Sequence, residues 1–115
     1  MDKDRPIEEV CALLKSLLKD DANQIIFCTG RVEDYREKTI EQINKILNGS
    51  KNIDIDSCLY MRPQGDFRKD FMVKRDLYKR MIFDGFNPVI VFEDKLTVVE
   101  MWKEMGLKCL RVTGA

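Results

Sequence analysis

Residues 89–105, VIVFEDKLTVVEMWKEM, entered through Asn87-Pro88, carry two periodicities in succession. Val89-Ile90-Val91-Phe92 is an unbroken apolar, partly β-branched run, which predicts a buried strand over 89–92. It stops at two adjacent carboxylates, Glu93 and Asp94. Val98, Val99, Trp102 and Met105 then recur at spacings of three and four, the pattern of a helix over 96–105. Carboxylates at the C-terminal end of a buried strand stand where open α/β sheets place their ligands. They can equally end the strand and cap the next helix, and the local pattern leaves both readings open.

The same alternation extends in both directions. Gly106 ends the helix, and Lys108 to Val112 (KCLRV) reads as a last strand. Upstream, Asp84-Gly85 closes a helix over Asp70–Phe83, reached through a loop, Pro63 to Lys69, with Gly65 at its turn. Ser57 to Met61 (SCLYM) is a weaker strand after a polar loop, 51–56. A helix from Glu33 to Leu47 presents Tyr35, Ile40, Ile43, Ile46 and Leu47 on its inner face and ends at Asn48-Gly49-Ser50, good C-cap chemistry. Gln24 to Cys28 (QIIFC) is a buried strand that runs into Thr29-Gly30-Arg31. Residues 6–19 read as the first helix, with Pro6 in its first turn and Ile7, Val10, Leu13, Leu14, Leu17 and Leu18 as its stripe. Asp20 to Asn23 is the turn that follows it.

The order α-β-α-β-α-β-α-β, with short apolar strands, predicts an α/β fold: a mostly parallel sheet with helices on both faces. Right-handed crossovers put every strand's C-terminal end on one edge, so 29–31 and 93–94 converge there. A chain of 115 residues supports one small domain, spanning 1–115. Charged residues are 35% and apolar ones 44%, as in globular proteins, and 20 basic residues balance 20 acidic ones. That balance excludes a globally basic nucleic-acid binder but not a basic patch. No apolar run approaches the ~20 residues of a membrane span. The opening MDKDRPIEEV has no apolar centre, so it is no signal peptide, and a cytoplasmic protein is expected. Cys11, Cys28, Cys58 and Cys109 are widely spaced in apolar contexts and read as reduced core residues. Histidine is absent, which removes a Ser-His-Asp triad, a Cys-His dyad and histidine-ligated zinc.

Three features of the common edge carry chemistry. Thr29-Gly30-Arg31 at a strand-to-helix junction offers a hydroxyl and backbone amides to a phosphate, or simply caps a helix. Lys74 falls in the middle of the apolar stripe of its helix, among Phe71, Leu77, Tyr78, Met81 and Ile82. Lysine is rarely buried without a partner, so Lys74 either snorkels or reaches the edge to hold a phosphate or a carboxylate. Glu93 and Asp94 suit magnesium, which prefers oxygen ligands. Residues 62–80 hold seven basic side chains (Arg62, Arg68, Lys69, Lys74, Arg75, Lys79, Arg80) against Asp66, Asp70 and Asp76, either a solvated face or a polyanion track.

With these residues in place the sequence resembles the haloacid dehalogenase-type phosphatases, and more narrowly the 3′-phosphatase domain of phage-type polynucleotide kinase/phosphatase. The resemblance rests on the strand ending in Thr29-Gly30-Arg31, on QGDFRKDFMVK at 64–74 and on FEDKLTVVEMWKEMGLKCLRV at 92–112. It implies a three-layer Rossmann-like fold and phosphomonoester hydrolysis through an aspartyl phosphate, with Mg2+ as cofactor. By position it implies that Thr29, Gly30 and Arg31 bind phosphate and that Lys74 neutralises the phosphate and the intermediate. Asp94, with Glu93 assisting, would organise the metal, and Arg68 and Lys69 would lie along a nucleic acid. The implied partner is a phosphorylated substrate such as a nucleic-acid 3′ end.

The family's first motif, DxDG-T at the end of an apolar strand, supplies its nucleophile, and no such strand occurs here. Asp2-Lys3-Asp4 has the DxD spacing, but only Met1 precedes it and Arg5-Pro6 follows it. The expectation is therefore a family domain without its first, central strand, inactive as an isolated chain and prone to dimerise or accept a strand. The alternative is a non-catalytic remnant that binds a nucleotide, a nucleic acid or a protein.

Overall fold

The computed structural model describes residues 8–20, 22–47 and 54–112, with side chains from residue 12 onward. Pro6, Ile7, the Asp2-Lys3-Asp4 spacing, the side chains of Val10 and Cys11, and the Asn48-Gly49-Ser50 cap lie outside the described residues. The elements are α1 (Glu8–Leu18), β1 (Phe27–Val32), α2 (Arg36–Leu47), β2 (Leu59–Arg62), α3 (Asp70–Phe83), β3 (Ile90–Glu93), α4 (Leu96–Glu104) and β4 (Lys108–Arg111). Single turns of 3-10 helix, Glu33–Tyr35 and Asp56–Cys58, precede α2 and β2. The alternating order is the one the periodicities predict.

The sheet is divided. The strands do not form one sheet but two parallel pairs, β1 with β2 and β3 with β4. Among the described residues, β1 and β3 have no hydrogen-bonded strand on their other edges.

The two pairs share a floor. On one face of β1–β2, Leu59 and Met61 pack with Leu18 of α1 and Ile43 and Leu47 of α2. On the other, Tyr60 packs with Val73, Leu77 and Met81 of α3. The strand period of two therefore sends alternate residues of β2 into two cores, a helix–sheet–helix sandwich. Helix α3 carries a second row, Phe71 and Tyr78, that meets Val98, Met101 and Trp102 of α4 together with Val91 and Cys109 of β3 and β4. Tyr78 and Trp102 meet edge-to-face, ring centroids 5.8 Å apart. One helix thus underlies both strand pairs.

Covering on both faces holds for β1–β2 and fails for β3–β4. Ile90 is 51% exposed and Leu110 56% exposed, because no described element packs on their side. Boundaries shift as well. The predicted strand 24–28 lies at 27–32, so Thr29, Gly30 and Arg31 are strand residues and not a helix N-terminus. The reason is pairing: the ladder to β2 continues through an irregularity to Val32↔Arg62. Tyr35, expected on the inner face of the second helix, sits in the preceding 3-10 turn and is 54% exposed. Helices α3 and α4 both end in the double backbone bond of a Schellman motif. Phe86 N bonds Met81 O, and Leu107 N bonds Trp102 O. These ends place Gly85 and Gly106 at φ 97° and 87°, where a side chain would be strained.

Candidate functional site

Lys74 settles its own ambiguity. It lies on α3 between the row facing β1–β2 and the row facing α4, and it is only 8% exposed. It does not snorkel to solvent. Its Nζ donates to Glu93 Oε1 at 3.1 Å, joining the helix floor to the end of β3. Glu93 is equally buried, at 7% exposed, and both of its oxygens are occupied. Oε1 also accepts the Trp102 indole N–H at 3.3 Å, and Oε2 accepts the backbone N–H groups of Asp94 (3.2 Å) and Lys95 (3.3 Å). The carboxylate thus fixes the turn between β3 and α4 and holds the lysine; it ends the strand, but α4 itself carries no side-chain cap.

Above this pair a cleft of about 310 Å³ opens between β1 and β3, lined by Cys28, Thr29, Lys74, Phe92, Glu93, Asp94 and Val112. It brings together Thr29, Lys74 and Asp94, three residues that are far apart in sequence. Thr29 Oγ1 accepts the Arg31 backbone N–H at 3.2 Å, which leaves the hydroxyl hydrogen available to donate. Asp94 is exposed. Arg31 extends along α2, where its guanidinium donates to Thr39 Oγ1 and to Gln42 Oε1 at 2.7 Å. Burial pushes the Cys28 thiol up to about 12, so the cleft wall at this point is an apolar, un-ionised thiol.

A second polar cluster was not singled out by sequence. Arg62, at the end of β2, donates to the carbonyls of Gly30, Asp66 and Arg68 and to Asp70 Oδ1. Asp70 Oδ2 receives the Lys95 ammonium at 3.1 Å. Burial raises the Asp70 carboxyl, but the Lys95 and Arg62 cations outweigh it and hold the group below the usual carboxylate range. Two carboxylates, Glu93 and Asp70, therefore tie the β1–β2 side to the β3–α4 turn. Gly30 permits this, since a Cβ there would stand 2.7 Å from Asp70 Oδ1. The available signal was spacing: Asp70 is one helical turn before Lys74 and so on the same face.

The basic stretch is less available than its count suggests. Arg68 is bound to Asp66 and Asp76, each at 2.7 Å, whereas Lys69 is exposed just before α3. As for magnesium, no group of three metal-ligating side chains occurs among the described residues, and Glu93 is fully engaged. Among the described residues that line the cleft, Asp94 offers the open carboxylate. This donor set fits the common mode of magnesium binding, in which one or two carboxylates share the ion with waters and a substrate phosphate. No described helix is long and apolar enough to cross a membrane.

Comparison with known proteins places the chain in a family. The model of the polynucleotide kinase PNKP phosphatase domain matches residues 1–115. A protein of Autographa californica nuclear polyhedrosis virus, named as a bifunctional polynucleotide kinase/RNA ligase, is 34% identical over 84 residues. The match covers 72% of this chain and 11% of that protein's length, so the chain spans a small part of its relative. The chain belongs to the PNKP phosphatase-domain family of haloacid dehalogenase-like proteins.

Proposed function

We propose, from membership of this family, that the cleft between β1 and β3 binds the terminal phosphate of a 3′-phosphorylated nucleic acid. The observation that carries this reading is the buried Lys74 ammonium at the cleft floor, beside the Thr29 hydroxyl and the open Asp94 carboxylate. A phosphate entering there meets a cation that needs no desolvation on binding, because folding has already desolvated it. The Thr29 hydroxyl donates to a second phosphate oxygen. Asp94 would hold magnesium against the phosphate, and the ion would neutralise its charge when bound. Exposed Lys69 extends the positive side toward the preceding nucleotides.

The reaction class of the family is phosphomonoester hydrolysis through a carboxylate nucleophile. Among the described residues the carboxylates at the cleft have other tasks. Glu93 is locked in four hydrogen bonds, and Asp94 is the open acid left for a cation. The described cleft is therefore read as a phosphate-binding body without turnover, which favours the non-catalytic reading. Two assays test this. Fluorescence anisotropy should show a 3′-phosphorylated oligonucleotide binding at least ~10-fold tighter than its 3′-hydroxyl twin, an advantage lost in Lys74→Met. Phosphate release with magnesium should stay at background. Release that Lys74→Ala abolishes would overturn the absence of turnover, and equal binding of the two oligonucleotides would overturn the phosphate site.

A further inference from the structure

Phe67, in the loop between β2 and α3, is 95% exposed. A lone exposed aromatic is ordinary on a protein surface. Phe67 differs because polar bonds on both sides of it fix that exposure. One nitrogen of Arg62, Nη1, donates to the carbonyl before it (Asp66, 3.0 Å) and to the carbonyl after it (Arg68, 2.6 Å). Asp66 N closes a turn onto Pro63 O at 3.2 Å, and the Asp66 carboxylate accepts the Arg68 backbone N–H and guanidinium. The ring is thus held out into solvent by a loop whose ordering entropy is lost on folding and not on binding. The same arginine sets where the ring stands. Its Nε donates to Gly30 O at 2.8 Å, one residue from Thr29 in the cleft wall. Its Nη2 reaches Asp70, which also holds Lys95, the residue after Asp94. The loop therefore stands at the sheet edge that carries the cleft. Asp66 and Asp70 are both bound to arginine, and Lys69 is exposed, so neither carboxylate of the loop repels an anionic chain unpaired.

We infer that Phe67 is a stacking platform for a nucleobase at the end of the chain whose phosphate enters the cleft, an inference that rests on the phosphate site proposed above. A small phosphate ester gains nothing from a ring beside its cleft. A nucleotide joins an anion to a flat π-face, and this edge offers a partner to each: the Lys74 ammonium to the phosphate and the Phe67 ring to the base. Stacking of a base on an aromatic side chain tolerates sequence, because every base has a π-face. The ligand class thereby narrows from any phosphomonoester to a nucleic-acid end that keeps its bases, with little preference among them. An apolar protein surface is the weaker occupant. Aromatic anchors of protein interfaces work within a water-excluding ring of neighbours, and Phe67 is flanked in its loop by Gln64, Gly65, Asp66, Arg68 and Lys69.

The probe is a single-stranded, 3′-phosphorylated oligonucleotide, compared with one that lacks its last two bases but keeps every sugar and phosphate. In fluorescence anisotropy with the intact 115-residue chain, the complete oligonucleotide should bind about five- to a hundredfold tighter. Phe67→Leu keeps apolar bulk and removes the ring, so it should erase this base preference, whereas Phe67→Trp should keep it. At 95% exposure the ring packs on almost nothing, and both variants leave the fold intact. Phe83 is a control: it is 89% exposed at the far end of the 14-residue α3, about 20 Å from Asp70, and Phe83→Leu should change nothing. The preference for a 3′-phosphate over a 3′-hydroxyl should persist in Phe67→Leu. A wild type that prefers the phosphate but ignores the missing bases overturns the stacking alone. Base preference retained in Phe67→Leu, or lost equally in Phe83→Leu, overturns the role of Phe67. A wild type indifferent to the phosphate overturns the phosphate site, and the placement of the base falls with it.

Discussion

Lys74 and Glu93 form a buried ion pair, and such pairs are costly to halve. Removing one partner strands the other charge in a low-dielectric interior, at roughly 3–5 kcal/mol. The two losses are not equivalent here. Lys74→Met leaves Glu93 with three other donors, the Trp102 indole and two backbone N–H groups. Glu93→Leu orphans those three donors and the ammonium together. Urea denaturation should therefore place Glu93→Leu at the upper end of that range and Lys74→Met at the lower. The reverse order would mean that the backbone bonds to Glu93 carry little. Cys28 gives a second prediction on the same cleft. With its thiol near 12 against an ordinary 9.0, its thiolate fraction at pH 8 is about a thousandfold below that of a free thiol. Iodoacetamide at pH 8 should label Cys109 before Cys28, as read by peptide mass spectrometry, and first labelling of Cys28 would contradict the buried placement.

At the level of the elements, β1 and the first turn of α3 approach closely at Gly30. Gly30 sits where a Cβ would meet Asp70 Oδ1 at 2.7 Å and its Cγ at 3.2 Å. Asp70 cannot swing away without leaving Arg62 and Lys95. Gly30→Ala should therefore cost about 1–3 kcal/mol, the usual range for overpacking. In an Asp70→Ala background the same change should be nearly neutral, since the obstructing carboxylate is gone. A cost unchanged by that background would place the strain elsewhere. Element types were legible in the sequence because periods of two and of three to four are local properties of the side-chain pattern. The buried Lys74 was legible for the same reason, since a cation in an apolar stripe breaks the pattern. The extent of β1 was not, because a ladder that continues past Gly30 depends on β2, and the Arg62 bond to the Gly30 carbonyl spans 32 residues. The split between the two strand pairs was open in the sequence: a family domain without its central strand either brings the strands at 24–28 and 89–92 together or leaves a gap, and no residue of β1 or β3 decides between them.

Across the whole molecule the two strand pairs are joined by the packing of α3, by the Lys74–Glu93 pair, and by Asp70 between Arg62 and Lys95. The second of these polar ties titrates in a defined direction. The Asp70 carboxyl is held below its ordinary 3.8 in the folded chain, against burial, by Lys95 and Arg62. A depressed carboxylate contributes stability that is complete above its unfolded value and is lost as pH falls through its folded value. The loss should therefore begin as pH drops below about 4 and grow with further acidification. Glu33, lowered by its hydrogen bond to Arg36, follows the same sign, so the wild-type midpoint of urea denaturation should fall steadily from pH 5 toward pH 2. Asp70→Asn isolates the inter-sheet contribution. It should be less stable than the wild type at pH 6, where the wild-type carboxylate is charged, and the two curves should draw together as pH falls below about 4 and the wild-type carboxylate takes up its proton. A gap that stays constant down to pH 2 would mean that the side chain joins the two halves through its shape and hydrogen bonding, and that its charge contributes nothing.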